Sequence, residues 1–203
     1  MPRPGIPDPF RMRARAEGYV ARAIYKLKEI DEKYRLFREG QRVLDLGCAP
    51  GSWLQYIAAR VGPRGLVLGV DAAELAIPVA PPLYFIRGEV GSLDLEAITA
   101  ISPGFEVVVS DLAPKTTGVR DVDQQRSLDL SLQALELARR FLGSGGHFLV
   151  KIFAGPDLPL LAAPMQQEFR RFRQVKPAGS RAASKELYLL GLQRLRGPQG
   201  AKG

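Results

Sequence analysis

The sequence predicts an α/β fold built on a largely parallel, doubly wound sheet of about seven strands, with helices on both faces. Three observations carry this. Five short β-branched or aliphatic runs are continuous rather than alternating, as strands covered on both faces should be. Stretches of helical periodicity separate them, giving the βαβ alternation that demands parallel pairing. The 203 residues, 46% apolar and 25% charged, suffice to bury one sizeable core without staples.

Residues 2–9 hold four prolines and a glycine, and residues 10–18 (FRMRARAEG) are basic and poor in apolar side chains, so 1–18 is expected to be an irregular basic leader. Ile24, Leu27 and Ile30 recur at helical spacing, which predicts an amphipathic helix over Ala21–Tyr34. The strands then follow as VLDLG, LVLGVD, LYFIRG, FEVVVSDL and HFLVKIF. Residues 125–142 are the clearest helix, with Leu128, Leu132 and Leu135 joined by Leu130, Leu137 and Phe141. A last helical segment must start or break at Pro159 and Pro164. Two further β-like runs lie around 172–176 and 186–193. Residues 19–194 therefore form one domain, and 195–203, rich in glycine and proline, form a flexible tail.

Composition narrows the chemistry. No apolar run approaches the ~20 residues that span a bilayer, and MPRPGIPDPF has no hydrophobic signal core. A single cysteine, Cys48, and a single histidine, His147, exclude a disulfide framework and leave no material for a Cys- or His-based metal cluster or a Ser-His-Asp triad. The reducing cytoplasm is the simplest placement. The net charge of +8 is uneven: residues 1–42 carry +5 and residues 166–203 carry +7, whereas 43–165 carry −4. Two basic ends around a mildly acidic centre suit a polyanionic partner; the plainer reading is solubility.

Ligands of such sheets sit beyond the carboxyl ends of the strands. The first strand end holds Gly47 and Gly51, with small Cys48 and Ala49 between them, so backbone can approach a ligand closely. Pro50 and the glycine spacing break the dinucleotide register G-x-G-x-x-G, which disfavours a nicotinamide-dependent dehydrogenase. Asp45, inside the strand, is placed to organise the loop amides or meet a cationic ligand group. Asp71, at the second strand end, suits a ribose diol. Together these indicate a nucleoside-bearing ligand without pyrophosphate. Glu89 and Asp111 end the third and fourth strands. Lys151 lies within apolar FLVKIF, where a lysine is expensive without a partner or a task. Glu186 opens the last run, and Lys26 sits beside the apolar stripe of the first predicted helix. For each charge alone, an ordinary solvated or paired role is the plainer reading; several in one sheet point to a site.

The segments ARAIYKLKEI, VLDLGCAPGSW, VVVSDLAPKTTG, GHFLVKIF and SRAASKELYLL resemble, in order, the motifs of the FtsJ/RrmJ-type ribosomal RNA 2′-O-methyltransferases, over about residues 18–194. The resemblance implies the Rossmann-like S-adenosylmethionine-dependent methyltransferase fold, with the last of seven strands antiparallel. It implies a Lys-Asp-Lys-Glu tetrad, here Lys26, Asp111, Lys151 and Glu186. It also implies cofactor positions at Gly51, Trp53, Asp71, Glu89 and Asp111, beside Asp45 and Gly47 of the glycine loop. Glu89 stands where aspartate is expected, and two extra residues lie between Asp71 and Glu89. The implied activity is methylation of a ribose 2′-hydroxyl, a uridine's, in large-subunit ribosomal RNA, naked or within the subunit. It needs no metal, membrane or obligate protein partner. Transfer RNA as acceptor and a non-catalytic RNA-binding relic of the fold are the alternatives. Lys151 is the candidate general base, which requires desolvation or a nearby cation such as Lys26 to offset Asp111 and Glu186. Asp111 would orient Lys151 and face the sulfonium. Lys26 would stabilise developing negative charge or hold a phosphate. Cys48 is explained by its small size rather than as a nucleophile, and His147 as a residue leaving a turn. Trp53 is open between stacking on a ligand and core packing. Arg170, Arg171, Arg173 and Arg181 line an RNA path or form a solvated helix face.

Overall fold

The computed structural model describes residues 8–178 and 185–196; the expectations for 1–7, Arg181 and the tail from 197 lie outside the described residues. Seven strands form one sheet in the order β3-β2-β1-β4-β5-β7-β6. They are β1 (Arg42–Leu46), β2 (Leu66–Asp71), β3 (Leu83–Arg87), β4 (Phe105–Ser110), β5 (Leu142–Phe153), β6 (Phe169–Val175) and β7 (Glu186–Arg194). The first five pair in parallel, and β7 inserts antiparallel between β5 and β6. The helices are α1 (Pro9–Ala16), α2 (Ile24–Tyr34), α3 (Ser52–Val61), α4 (Leu95–Ile101), α5 (Arg120–Phe141) and α6 (Leu158–Glu168). Among the described residues no helix is long and apolar enough to cross a membrane.

Two hydrophobic layers sandwich the sheet. Leu44, Leu46, Val108, Val150 and Leu189 face Ile98 of α4, Leu128 and Leu135 of α5, and Leu161 and Met165 of α6. Val43, Val107, Val109, Leu149 and Leu190 face Leu27 and Ile30 of α2 and Leu54 and Ile57 of α3. Both faces are covered, which is why the strands read as continuous apolar runs. Each fully buried aliphatic side chain contributes about 1.5–3 kcal/mol, so the stripe on α2 alone fixes that helix firmly to the sheet. The period of two decides which polar residues meet. Asp45 follows Val43, Asp111 follows Val109, Lys151 follows Leu149 and Tyr188 precedes Leu190, so all four belong to the face under α2 and α3. Asp31 of α2 locks that layer: its buried carboxylate accepts from Phe37 N (3.0 Å) and Tyr56 Oη (2.7 Å) and pairs with Arg60 of α3 at 3.2 Å.

The expected leader is corrected over Pro9–Ala16, which is helical. Asp8 caps α1 by accepting from Phe10 N (3.1 Å), Pro9 occupies the first turn, and Ala14 is buried. These are capping signals rather than apolar periodicity. Helix α2 begins at Ile24, three residues later than its periodicity suggests, and α5 begins at Arg120, five earlier, with Asp121 and Asp123 in its first turn. Strand β5 starts at Leu142 rather than His147, because the ladder with β4 jumps from Phe105–Leu142 to Val107–His147 while Gly143–Gly146 loop out. In α6, Pro159 lies in the first turn and Pro164 inside the helix.

Candidate active site

β1 delivers the chain into Gly47–Gly51, directly before α3. Gly47 has φ +79° and its N–H donates to Val70 O (2.8 Å); a Cβ there would lie 2.8 Å from Leu112 N. Gly51, φ +115°, caps α3, and a Cβ there would lie 2.8 Å from Ile77 Cδ1. Asp71, at the end of β2, holds this loop: Oδ2 accepts from Ala49 N (2.9 Å) and Oδ1 from Ala73 N (2.8 Å). Each oxygen keeps a lone pair for a further donor. The Gly88 N–H donates to Asp71 O at 3.0 Å, which brings the exit of β3, with exposed Glu89, to the same strand end.

Asp45 does not organise the loop amides; Asp71 does that. Asp45 is completely buried, and neither carboxylate oxygen has a hydrogen-bond partner among the described residues. Burial pushes its pKa well above the usual carboxylate range, and the carboxylates of Asp111 and Asp71 push it further. A buried acceptor without a donor beside two other carboxylates suits a cationic ligand group. The side chain of Trp53 packs in the core. It is 3% exposed, its indole Nε1 donates to Ala23 O (3.0 Å), and its ring lies 6.1 Å from that of Tyr188, so no ring face is open for stacking. Cys48 is buried, and burial raises its thiol pKa far above the ordinary value, which suits a small loop residue and not a nucleophile. His147 lies at the start of the parallel part of β5, at the opposite end from Lys151, and its Nδ1 accepts from Gln193 N (3.2 Å).

The four charged residues of the tetrad come together as two ion pairs. Lys151 is 4% exposed, and its Nζ stands 3.1 Å from Asp111 Oδ1 and donates to Asp111 O at 2.6 Å. Asp111 is set there by its own N–H, which donates to Leu46 O across the sheet (3.0 Å). Lys26 of α2 pairs with Glu186 of β7 at 2.5 Å. The antiparallel register opposes Lys151 to Tyr188 and Phe153 to Glu186, so β5 and β7 present both pairs side by side. Tyr188 completes the cluster: its hydroxyl donates to Asp111 Oδ1 at 2.7 Å from a fully buried position, where burial and Asp111 raise its pKa well above the usual phenol value. Sequence reasoning missed Tyr188. Its signal was the alternation in ELYLL, which puts Glu186 and Tyr188 on one face. A cavity of about 300 Å³ adjoins Glu186, lined by Gly118, Arg120, Asp123, Gln124 and Phe153. Asp123 builds its rim by accepting from Thr117 N (2.7 Å) and Gly118 N (3.2 Å).

A seven-stranded sheet with one antiparallel strand, a glycine loop under a strand-end aspartate and an adjacent lysine–carboxylate cluster define the class of S-adenosylmethionine-dependent methyltransferase folds. The profile of the FtsJ-like methyltransferases matches residues 19–194, and this chain belongs to that family. It is 43% identical over 190 residues to the Bdellovibrio bacteriovorus ribosomal RNA large subunit methyltransferase E, covering 92% of this chain and 96% of that one. To the protein of the same name in Nitratidesulfovibrio vulgaris it is 46% identical over 184 residues, covering 89% and 90%. Its fold matches a Plasmodium falciparum protein described as a ribosomal RNA methyltransferase, with TM-score 0.75, 28% identity, and 87% and 99% of the two chains covered. Aeropyrum pernix fibrillarin, solved with S-adenosyl-L-methionine bound, shares the fold at TM-score 0.52 and 18% identity.

Proposed function

We propose that this chain methylates the 2′-hydroxyl of a ribose, a uridine's, in large-subunit ribosomal RNA, with S-adenosylmethionine as methyl donor. The observation that carries this reading is the Lys151–Asp111–Tyr188 cluster, paired side by side with Lys26–Glu186 at the strand ends that also hold the glycine loop. The residues fit the donor. Gly47 and Gly51 leave backbone space that a Cβ would fill, Asp71 keeps lone pairs for the ribose diol, and the buried carboxylate of Asp45 would be favoured by a positive charge bound nearby. Glu89, one methylene longer than aspartate and just beyond the end of β3, would hold the adenine end. When bound, the sulfonium supplies an already activated methyl group.

The protein's part is to place and prepare the acceptor oxygen. To act as base, Lys151 must first release a proton to solvent; its neutral Nζ would then accept the 2′-hydroxyl proton as the oxygen attacks, with Asp111 orienting the amine through two contacts. Tyr188 fixes Oδ1 of Asp111, and Lys26 balances charge developing on the oxygen or a neighbouring phosphate. The single cysteine and histidine accord with a cytoplasmic protein, and the large ribosomal subunit with the polyanionic partner that the basic ends favour. A non-catalytic relic would not need the assembled cluster.

The test is methyl transfer to unmethylated large-subunit ribosomal RNA and to ribosomal subunits from cells lacking the protein. Lys151→Ala is expected to lower single-turnover rates by at least ~10²–10⁴-fold, with S-adenosylmethionine affinity retained. Lys151→Arg is expected to fail too, because a guanidinium does not release its proton. An arginine variant as fast as wild type would make Lys151 a fixed charge and move the base elsewhere. Mass mapping of the RNA checks the uridine, and equal modification of transfer RNA would select that acceptor instead.

A further inference from the structure

Between α1 and the loop after β2 runs a groove of about 450 Å³, lined by Arg11, Arg15, Tyr19, Val20 and Ala76. Its charge is unbalanced for a reason the contacts make plain. Residues 8–22 contain four arginines and only two acids, Asp8 and Glu17. Asp8 pairs with Arg22 at 2.7 Å, and Glu17 pairs with Arg13 at 2.7 Å and reaches Lys28 at 3.7 Å. Across the groove the nearest acid of the loop, Glu74, pairs with Arg87 at 2.8 Å. Arg11 and Arg15, four residues apart on one exposed face of α1, have no carboxylate partner among the described residues.

The groove is held against the site. Tyr25, the neighbour of Lys26, lies between α1 side chains, with the Phe10 ring centroid at 5.7 Å and the Arg13 guanidinium 4.9 Å over its ring. Gln55, one turn after Gly51, accepts from Val20 N (3.1 Å) and donates to Gly18 O (3.0 Å). Ala76 N donates to Pro50 O inside the glycine loop (2.9 Å). Both walls are thus fastened to the elements that carry Lys26 and the glycine loop.

We propose that this groove is a docking site for a single-stranded RNA segment flanking the nucleotide at the tetrad. Arg11 and Arg15 grip its phosphates, and half-buried Tyr19 with exposed Val20 lies against sugar or base. Guanidinium forks match phosphate oxygens, and a basic groove with an aromatic floor is how unpaired strands are held without sequence readout. The inference rests on the RNA methyltransferase reading above.

The test compares wild type, Arg11→Ala/Arg15→Ala and Arg11→Lys/Arg15→Lys, with Arg64→Ala as an exposed control in an ion pair with Glu39. The readouts are binding of unmethylated large-subunit ribosomal RNA against salt, steady-state methylation, S-adenosylmethionine affinity and thermal stability. For the double alanine variant, RNA binding is expected to weaken and the log–log salt slope to fall by roughly 1.4, at about 0.7 per phosphate contact. KM for RNA should rise with kcat, cofactor affinity and melting temperature unchanged. The lysine variant should recover most of the slope, and the control should match wild type. A salt slope and KM equal to wild type in the double alanine variant overturn the docking site while leaving the methyltransferase reading intact. Wild type that neither binds nor methylates the RNA overturns the reading beneath it, and the docking site with it.

Discussion

At the scale of single residues, Asp45 is a costly feature of the folded protein, a buried carboxylate without a hydrogen-bond partner among the described residues. An ionised carboxylate with no donor, beside two others, is disfavoured in the folded state, so its folded pKa lies well above its unfolded one. The sign follows: at pH below the unfolded carboxylate value both states are protonated and nothing is lost. As pH rises above it, the unfolded chain ionises freely while the folded one resists, so stability falls until the folded pKa is passed. Asp45→Asn is therefore expected to raise the melting temperature of the ligand-free protein near neutral pH and to flatten its decline with pH, while weakening S-adenosylmethionine binding. A variant less stable than wild type at pH 7 would mean that Asp45 is paired or hydrated in solution. Such residues were legible because charges inside apolar strands stand out. Tyr188 was not, since tyrosine is an ordinary strand residue and only the register with Lys151 shows what its hydroxyl meets. Trp53 lay open between stacking and core, and only the Ala23 carbonyl, 30 residues away, decides it.

At the scale of elements, the glycine loop separates two kinds of constraint. Gly47 and Gly51 both have positive φ, which costs an L-residue roughly 1–2 kcal/mol. Their neighbours differ. A Cβ at Gly47 meets the backbone nitrogen of Leu112, next to Asp111, whereas at Gly51 it meets Cδ1 and Cγ1 of the Ile77 side chain, which can shift more readily than backbone. Gly47→Ala is thus expected to lower the melting temperature more than Gly51→Ala and to depress methyl transfer through Asp111 as well as cofactor binding. Equal losses in thermal melts and single-turnover rates would show that backbone strain alone matters. The strands and the order of the motifs were legible because burial on both faces imposes continuous apolar runs. Helix α1 was not, because a helix held by an Asp-Pro start, ion pairs and one buried alanine has almost no apolar stripe to read. Edge strand β6 shows the same limit: its exposed Arg170, Arg171 and Arg173 oppose strand addition at the open rim whether or not they meet RNA.

At the scale of the whole molecule, the two buried layers meet the chemistry at the carboxyl ends of β1, β2, β4 and β5 and the amino end of antiparallel β7, so ligand binding and global stability are linked through that edge. A ligand that binds only the folded state stabilises it by RT ln(1 + [L]/Kd), about 2.7 kcal/mol at a hundredfold excess over Kd. For a chain of this size, at roughly 2–4 °C per kcal/mol, S-adenosylmethionine should raise the melting temperature by about 5–10 °C. Asp71 tests whether the gain arises where the structure places it. Its carboxylate fixes Ala49 and Ala73 and leaves lone pairs facing outward, so Asp71→Ala removes both the loop's support and the acceptor for a ribose diol. The ligand-free variant should melt slightly lower than wild type, and its S-adenosylmethionine-induced shift should shrink to a small fraction, corresponding to ~1.5–3 kcal/mol of lost charge-assisted bonding. Asp71→Asn separates the two losses. Its amide oxygen can still accept from one loop N–H, so the ligand-free protein should keep most of its stability, while one neutral acceptor replaces two charged ones and the shift still falls. If the asparagine variant kept the full shift, the ribose would have to be held elsewhere, and Glu89 would be the next carboxylate to remove.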